Sequence, residues 1–462
     1  MRLFGTDGIR GRTNSSPMTP ENVLRIGMAA AKVLRKEHGR NMVIIGKDTR
    51  LSGYMIESAL TSGICSMGMD VILTGPLPTP GIAFLTRALR LDAGIVISAS
   101  HNPFEDNGIK FFSSEGFKLP DEQEREIEGL VTDGRLGSKR PSGVNIGKAH
   151  RLEDATGRYI EYIKSTIPRG GTLEGLRVVV DTANGAAYKV TPWVLRELGA
   201  EVITMHDTPN GININEGCGS LHMEGLSKEV KLHKAHAGIA HDGDGDRTLM
   251  CDEKGALVDG DKILGIWAVQ LKKEGTLRDD TIVSTVMSNL GLEHYLSKRN
   301  IQMVRTKVGD RFVTEGMLQG GYSLGGEPSG HVISLDYNTT GDGPITALHV
   351  LYAMKKENAS LSELVADIRL YPQVLVNIPL QDKEHPETRK TPKGGRTDFK
   401  SHPMIVQVIR DAEERLKGRG RLLVRPSGTE HKIRVMVEAD EKRLANTLAR
   451  RIAEAIKKTM SV

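Results

Sequence analysis

Short apolar runs rich in β-branched residues recur through most of the chain, and they come in three sets of three. The first set is MVIIGKDTR, DVILTGPLPTP and AGIVISASHNP; the second is RVVVDTANG, EVITMHDTPNG and AGIAHDGDGDR; the third is TIVSTVMSN, IQMVRTKVGD and YSLGGEPSGH. Most of the apolar runs are strand-length, and polar or glycine-rich turns follow them. Helix-length stretches separate them. Apolar strands alternating with helices predict βαβ units, in which helices cover both faces of a parallel or mixed sheet. The pattern therefore predicts three similar α/β domains. Residue identity among the sets is slight, so what recurs is structure.

The C-terminal segment reads differently. RLLVRPSGTEHKIRVMVEAD offers two strands about a polar turn, and Leu444, Leu448, Ile452 and Ile456 then repeat at helical spacing. This predicts a smaller α+β domain. A polar, glycine-rich stretch at 133–154 and the turns KGALVDG and RLYPQ mark the boundaries. The expected domains are 1–150, 151–255, 256–370 and 371–462, around a central cleft.

Composition narrows the class of protein. A chain of 462 residues exceeds what one core accommodates, so several domains are expected. Hydrophobic residues make up 38% and charged residues 26%, as in soluble proteins, and no run approaches a membrane span. The net charge of +5 comes from 63 basic and 58 acidic residues dispersed along the chain, which argues against nucleic acid as a partner. Cys65, Cys218 and Cys251 show no metal-ligand spacing and the N-terminus has no apolar leader, so a cytoplasmic location is expected.

In open α/β sheets, ligands collect beyond the carboxyl ends of the strands, and the third run of each set ends in chemistry. In HDGDGDR, Asp242, Asp244 and Asp246 alternate with glycines, a spacing that lets three carboxylates converge on one hard cation such as Mg²⁺ or Ca²⁺. A calcium hand is the rival reading, with Glu253 twelfth from Asp242. Against it, Arg247 stands where that loop needs glycine, and the preceding run is strand-like. A solvated acidic turn is the remaining alternative. In SASHNP, Ser100 lies past the strand, in the turn, and is the candidate nucleophile or phosphate carrier; a turn serine that merely caps the backbone is the plainer reading. No G-x-S-x-G elbow surrounds it, which excludes the usual α/β-hydrolase arrangement.

Other residues suit phosphate and sugar. RPSGTE places Arg425 ahead of Ser427, Gly428 and Thr429, offering a guanidinium fork, two hydroxyls and free N–H groups for an anion, or else an ordinary hairpin turn. In GGEPSGH, Glu327 and Ser329 suit vicinal hydroxyls, and His331 suits proton movement near neutrality, unless it is structural. Arg10 and Lys110 are further cations in the first domain, able together to neutralise a phosphoryl group.

TDGIRG, SASHNP, DGDGDR, GEPSGH and RPSGTE occur in an order that resembles the α-D-phosphohexomutase superfamily along essentially the whole chain. FGTDGIRG, RTKVGDR and LDYNTTGDG resemble its bacterial branch acting on glucosamine phosphates. The resemblance implies four domains about a cleft, with Ser100 carrying a phosphoryl group and completing the coordination of one Mg²⁺ held by Asp242, Asp244 and Asp246. It implies that Arg247 acts beside the metal loop and that Arg10 and Lys110 serve phosphoryl and proton transfer. Glu327 and Ser329 would contact the sugar, His331 would lie near the reacting oxygens, and Arg425, Ser427, Gly428 and Thr429 would grip the other phosphate. The implied reaction converts glucosamine 6-phosphate into glucosamine 1-phosphate through a sugar bisphosphate, which also activates the enzyme, in a possible homodimer. A mannose or glucose phosphate mutase and a Mg²⁺-dependent sugar phosphatase are the alternatives. Pro328 in the sugar turn and His431-Lys432 after the phosphate loop depart from the common pattern and bear on substrate preference.

Overall fold

The computed structural model describes residues 3–5, 7–36, 39–132, 136, 140–379, 402–426 and 432–460. Three mixed sheets lie in a first compact unit, Met1–Ser288 with Leu296–Asp367. A fourth, smaller sheet lies in a second unit, Asn289–Tyr295 with Ile368–Val462.

The first sheet is built from β1 (Ile9–Arg12), β2 (Met42–Lys47), β3 (Asp70–Pro76), β4 (Ala93–Ile97), β5 (Asp106–Ser113) and β6 (Ala149–Arg151). The second comprises β7 (Arg177–Asp181), β8 (Glu201–Met205), β9 (Ala237–His241), β10 (Thr248–Asp252) and β11 (Leu257–Val258). The third comprises β12 (Thr281–Thr285), β13 (Gln302–Thr306), β14 (Leu324–Gly326) and β15 (Val332–Ser334).

One topology runs through all three. The first strand of each set pairs in parallel with the second on one side and with the third on the other: β3-β2-β4, β8-β7-β9 and β13-β12-β14. An antiparallel neighbour then follows the third strand, namely β5, β10 or β15. The chain thus reverses its direction of travel across the sheet at each first strand, opening a crevice at the carboxyl ends of the first and third strands. The connection leaving the third strand starts in that crevice. Those three connections carry SASHNP, DGDGDR and EPSG, so equivalent loops of three sheets bear the candidate groups.

Burial on both faces explains why β4 (AGIVI) and β9 (AGIAH) show no polar alternation, since every residue in each is buried. A helix crosses β4 closely: a Cβ on Gly94 would lie 2.3 Å from the Thr86 hydroxyl of the helix Thr79–Ala88. The core under the first sheet gathers Ile45, Ile95 and Ile97 with Ile56 and Leu60 of the helix Ser52–Ser66.

The second unit has the antiparallel order β16 (Gln373–Pro379), β18 (Lys432–Ala439), β17 (Gly420–Pro426). The helix Lys442–Met460 buries Leu448, Ile452 and Ile456, with Leu444 packed partly exposed at the margin. Two strands were expected here; QVLVNIP supplies a third, whose partial exposure matches an edge position.

Ile95→Ala should lower stability by about 2–5 kcal/mol, as for other fully buried large-to-small changes. A urea midpoint unchanged from the unmodified protein would contradict this packing.

Candidate active site

β4 ends at Ile97, and the next residues turn sharply. Ser98 Oγ donates to Asp48 Oδ2 and accepts from the Ser100 N–H at 2.9 Å. Ser100 itself has φ of 52°, a left-handed conformation that a non-glycine residue holds only when its surroundings enforce it. Four side-chain hydrogen bonds do so. Arg50, wholly buried and paired with Asp48, donates through Nη2 to the carbonyls of Ser100 (3.1 Å) and Asn102 (2.6 Å). From the second sheet's loops, Asn215 Nδ2 donates to the same two carbonyls at 2.9 and 3.0 Å. With its backbone so held, Ser100 directs Oγ at Asp242 Oδ2, 2.6 Å away.

The aspartates follow β9 at once. Ligand atoms of Asp242, Asp244 and Asp246 lie within 4.8 Å of one another, and all three residues are buried. A Cβ on Gly243 would sit 2.5 Å from the Ser100 carbonyl oxygen, so only glycine lets the two loops approach this closely. Asp244 Oδ2 accepts from the Thr79 hydroxyl at 2.7 Å and from Lys110 Nζ at 2.9 Å. Its Oδ1, like Asp246 Oδ1, is buried with no hydrogen-bond partner. Burial and the charges of Asp246 and Asp244 push the Asp242 carboxyl well above its usual range. Burial would raise Asp244 too, but the Lys110 ammonium holds it low. Orphaned carboxylate oxygens and mutual repulsion in a dry site are what a hard divalent cation relieves, so these residues fit one. Glu253, which a calcium hand would need, instead accepts from the Ser362 N–H at 3.2 Å and from its hydroxyl.

Cations ring the trio. Lys110, on β5, lies 3.3 Å from Asp246 Oδ2 and 3.2 Å from Asp7 Oδ2; burial opposes its charge, but Asp244, Asp7 and Asp246 raise its pKa well above normal. Arg10 pairs with the same Asp7. Lys118 bridges Asp7 and Asp310 at 2.6 Å each, tying the first sheet to the third. Arg247 donates its backbone N–H to Asp242 Oδ1 at 3.2 Å, and its Nη1 lies 3.2 Å from His101 Nδ1. Burial, Arg247 and Arg10 depress the His101 pKa to about 4, so its ring is neutral. Because a guanidinium only donates, that contact assigns the lone pair to Nδ1 and the proton to Nε2.

The third sheet contributes less directly. His331 is buried, with Nε2 3.9 Å from Asp246 Oδ2 and 3.8 Å from Asp310 Oδ2, and neither ring nitrogen has a hydrogen-bond partner. Glu327 Oε1 accepts from the Gly309 N–H at 3.0 Å, and Ser329 is exposed at the turn. Of the anticipated residues, Ser100, Lys110, the three aspartates, Arg247 and His331 are thus brought together, with Arg10 joined through Asp7. Arg425 lies in the second unit, opposite Arg434 across β17 and β18, and burial together with Arg434 lowers its pKa. Ser427, Gly428 and Thr429 lie outside the described residues.

The fold adds Asp7, Asp48, Arg50, His101, Lys118, Asn215 and Asp310 to the residues the sequence singles out. In the sequence GKDTR reads as a strand and its exit, although a Lys-Asp-Thr-Arg run straight after an apolar strand of an α/β sheet is a usable signal.

Sequence models of the four phosphoglucomutase/phosphomannomutase domains match this chain: alpha/beta/alpha domain I at residues 1–137, domain II at 157–255, domain III at 259–371 and the C-terminal domain at 375–455. The chain belongs to the phosphoglucomutase/phosphomannomutase family. Among members of the family, the phosphoglucosamine mutase of Thermodesulfovibrio yellowstonii is 56% identical over 440 residues, covering 95% of each chain. A phosphoglucomutase/phosphomannomutase family protein from Burkholderia thailandensis shares the fold with a TM-score of 0.79 at 23% identity, over 99% of this chain and 97% of that one. Aspergillus fumigatus N-acetylphosphoglucosamine mutase, solved with GlcNAc-6P and magnesium, shares it with a TM-score of 0.65 at 18% identity, over 99% and 95%.

Arg50→Met would leave Asp48 as a buried charge without its partner and should cost about 3–5 kcal/mol in urea unfolding. Arg158→Met, at an exposed ion pair, should leave the midpoint where it was.

Proposed function

We infer that this chain is a phosphoglucosamine mutase, interconverting glucosamine 6-phosphate and glucosamine 1-phosphate. The observation that carries the reading is the serine hydroxyl 2.6 Å from the first of three buried, converging carboxylates. Kinship at 56% identity with a phosphoglucosamine mutase supports the amino sugar as substrate.

Ser100 enters the cycle as a phosphoserine, formed from a sugar 1,6-bisphosphate that serves as activator. Its Oγ–P bond breaks as a bond forms from phosphorus to the free hydroxyl of the sugar monophosphate; the proton of that hydroxyl passes to a base, and the departing Ser100 Oγ takes up a proton. The bisphosphorylated sugar turns over, and its other phosphoryl group returns to Ser100, leaving the isomeric monophosphate. No redox chemistry is involved. Asp242, Asp244, Asp246 and the phosphate on Ser100 would hold one Mg²⁺, which supplies positive charge for the phosphoryl oxygens.

The chain's own residues do the rest. Lys110, set against Asp244, Asp246 and Asp7, supplies positive charge beside the transferring phosphoryl group. Arg247 and Arg10 add charge on either side. His331, with both ring nitrogens unpartnered and acidic neighbours at 3.8 and 3.9 Å, is the proposed proton carrier. His101 stays neutral and orients Arg247. Glu327 and Ser329 are assigned to sugar hydroxyls, and Arg425, Ser427, Gly428 and Thr429 to the phosphate that is not reacting. The proposed domains are 1–150, 151–255, 256–370 and 371–462, in a cytoplasmic homodimer, and the product leads toward UDP-N-acetylglucosamine.

Ser100→Ala should lower the turnover of glucosamine 6-phosphate by at least about 10³-fold, in line with loss of other covalent nucleophiles. Glucose and mannose 6-phosphates should turn over more slowly than glucosamine 6-phosphate; a preference for mannose would overturn the substrate assignment, and release of free phosphate without sugar 1-phosphate would overturn the mutase. Mg²⁺ at a hundred times its Kd should stabilise the protein by about 2.7 kcal/mol, read as a rise in Tm that Asp244→Asn diminishes.

A further inference from the structure

The second sheet carries another set of ligating side chains, which the mutase chemistry does not use. Asp181 is the last residue of β7, His206 follows β8 directly, and Cys218 lies in the long connection beyond. One ligand atom from each, a carboxylate oxygen, an imidazole nitrogen and a thiol sulfur, lies within 4.8 Å of the others. In sequence Cys218 stands alone; the fold supplies its companions.

The cluster is rigidly placed. Asp181 is buried, its Oδ1 accepting from the Ala183 N–H and its Oδ2 from the Gly219 N–H, both at 2.9 Å, so each oxygen retains a lone pair. His206 has φ of 49°, and its carbonyl accepts from the Thr182 hydroxyl and the Asn184 N–H, both at 2.6 Å. Its Nδ1 is buried and lies 3.1 Å from Asp181 Oδ2; that carboxylate raises the imidazole pKa, so a metal ion here would take the place of a proton between the two. Cys218 is buried at 1% exposure. Burial, Asp181 and Glu216 push its thiol up to about 12, so without a cation the sulfur is inert.

We propose that Asp181, His206 and Cys218 form a second metal site, separate from the aspartate trio, that takes a borderline transition-metal ion such as Zn²⁺. Carboxylate, imidazole and thiolate are a donor set suited to Zn²⁺ and poorly suited to Mg²⁺. On ligation the thiol proton leaves to solvent, and one carboxylate with one thiolate balances the dipositive ion, leaving no net charge in a buried place. The imidazole side chain is 35% exposed, which leaves a solvent-facing side where water completes four-coordination.

The site braces the serine loop. Cys218 is three residues from Asn215, whose amide holds the carbonyls of Ser100 and Asn102. The adjoining Gly219 lies so close to the His241 carbonyl that a Cβ there would be 2.5 Å from its oxygen, and His241 directly precedes Asp242. A bound ion would therefore stiffen the turn on which both Ser100 and the trio lean.

The test uses full-length protein stripped of metal and kept in millimolar Mg²⁺, so that the trio is supplied with its own ion. Calorimetry with Zn²⁺ should give one site per chain. Co²⁺ should give a thiolate-to-metal charge-transfer band in the near ultraviolet. Cys218→Ser should abolish that band, and His206→Gln should weaken Zn²⁺ binding at least about tenfold, while Asp244→Asn keeps the stoichiometry. Zn²⁺ should also slow hydrogen exchange across residues 98–102 and 215–219 in the unmodified protein. Absence of Zn²⁺ uptake, or equal uptake by His206→Gln, overturns the proposal. Should Cys218→Ser fail to fold, His206→Gln, at a partly exposed position, decides alone. None of these readouts depends on which sugar phosphate is turned over.

Discussion

Three carboxylates packed together out of reach of water repel one another, and the architecture around them answers that repulsion. Lys110 answers it from β5, Arg247 from the next position in the same loop, and Asp7 with Lys118 extends the alternation of charge to Asp310 on the far side. The balance is incomplete. Asp244 Oδ1 and Asp246 Oδ1 remain without donors, and Asp242 resists ionisation. A site left short of positive charge in a low-dielectric setting binds a dication strongly, and a phosphoryl group is then drawn to the cation.

Repetition of one sheet topology makes this crowding possible. Each sheet places its first strand centrally and sends its third strand alongside, so three crevices carry comparable loops. One loop brings a hydroxyl, the second brings carboxylates and the third brings an imidazole with a carboxylate. Two loops from separate sheets, meeting over Gly243, bring the Ser100 hydroxyl within a hydrogen bond of Asp242.

Much of this was readable along the chain. The nine strands of the repeating sets announced themselves through apolar runs ended by turns, and the alternation of aspartate with glycine announced the trio. What escaped notice depends on partners distant in sequence. Asn215 looks like any loop asparagine until its amide is seen against carbonyls more than a hundred positions earlier. Arg50 looks like a surface cation at a strand exit, yet it is wholly buried, with Asp48 neutralising it and the carbonyls of Ser100 and Asn102 accepting from its Nη2. Edge strand β16 escapes a reading of the sequence because Leu375 interrupts its polar–apolar alternation and it lies far along the chain from the hairpin it joins.

The left-handed backbone at Ser100 bears on the identity of the side chain. A threonine hydroxyl would carry phosphate with the same chemistry, but a branched Cβ is poorly tolerated in that conformation, where it crowds the main chain on both sides. Between the two hydroxyl amino acids, the turn at position 100 favours serine through its main-chain angles.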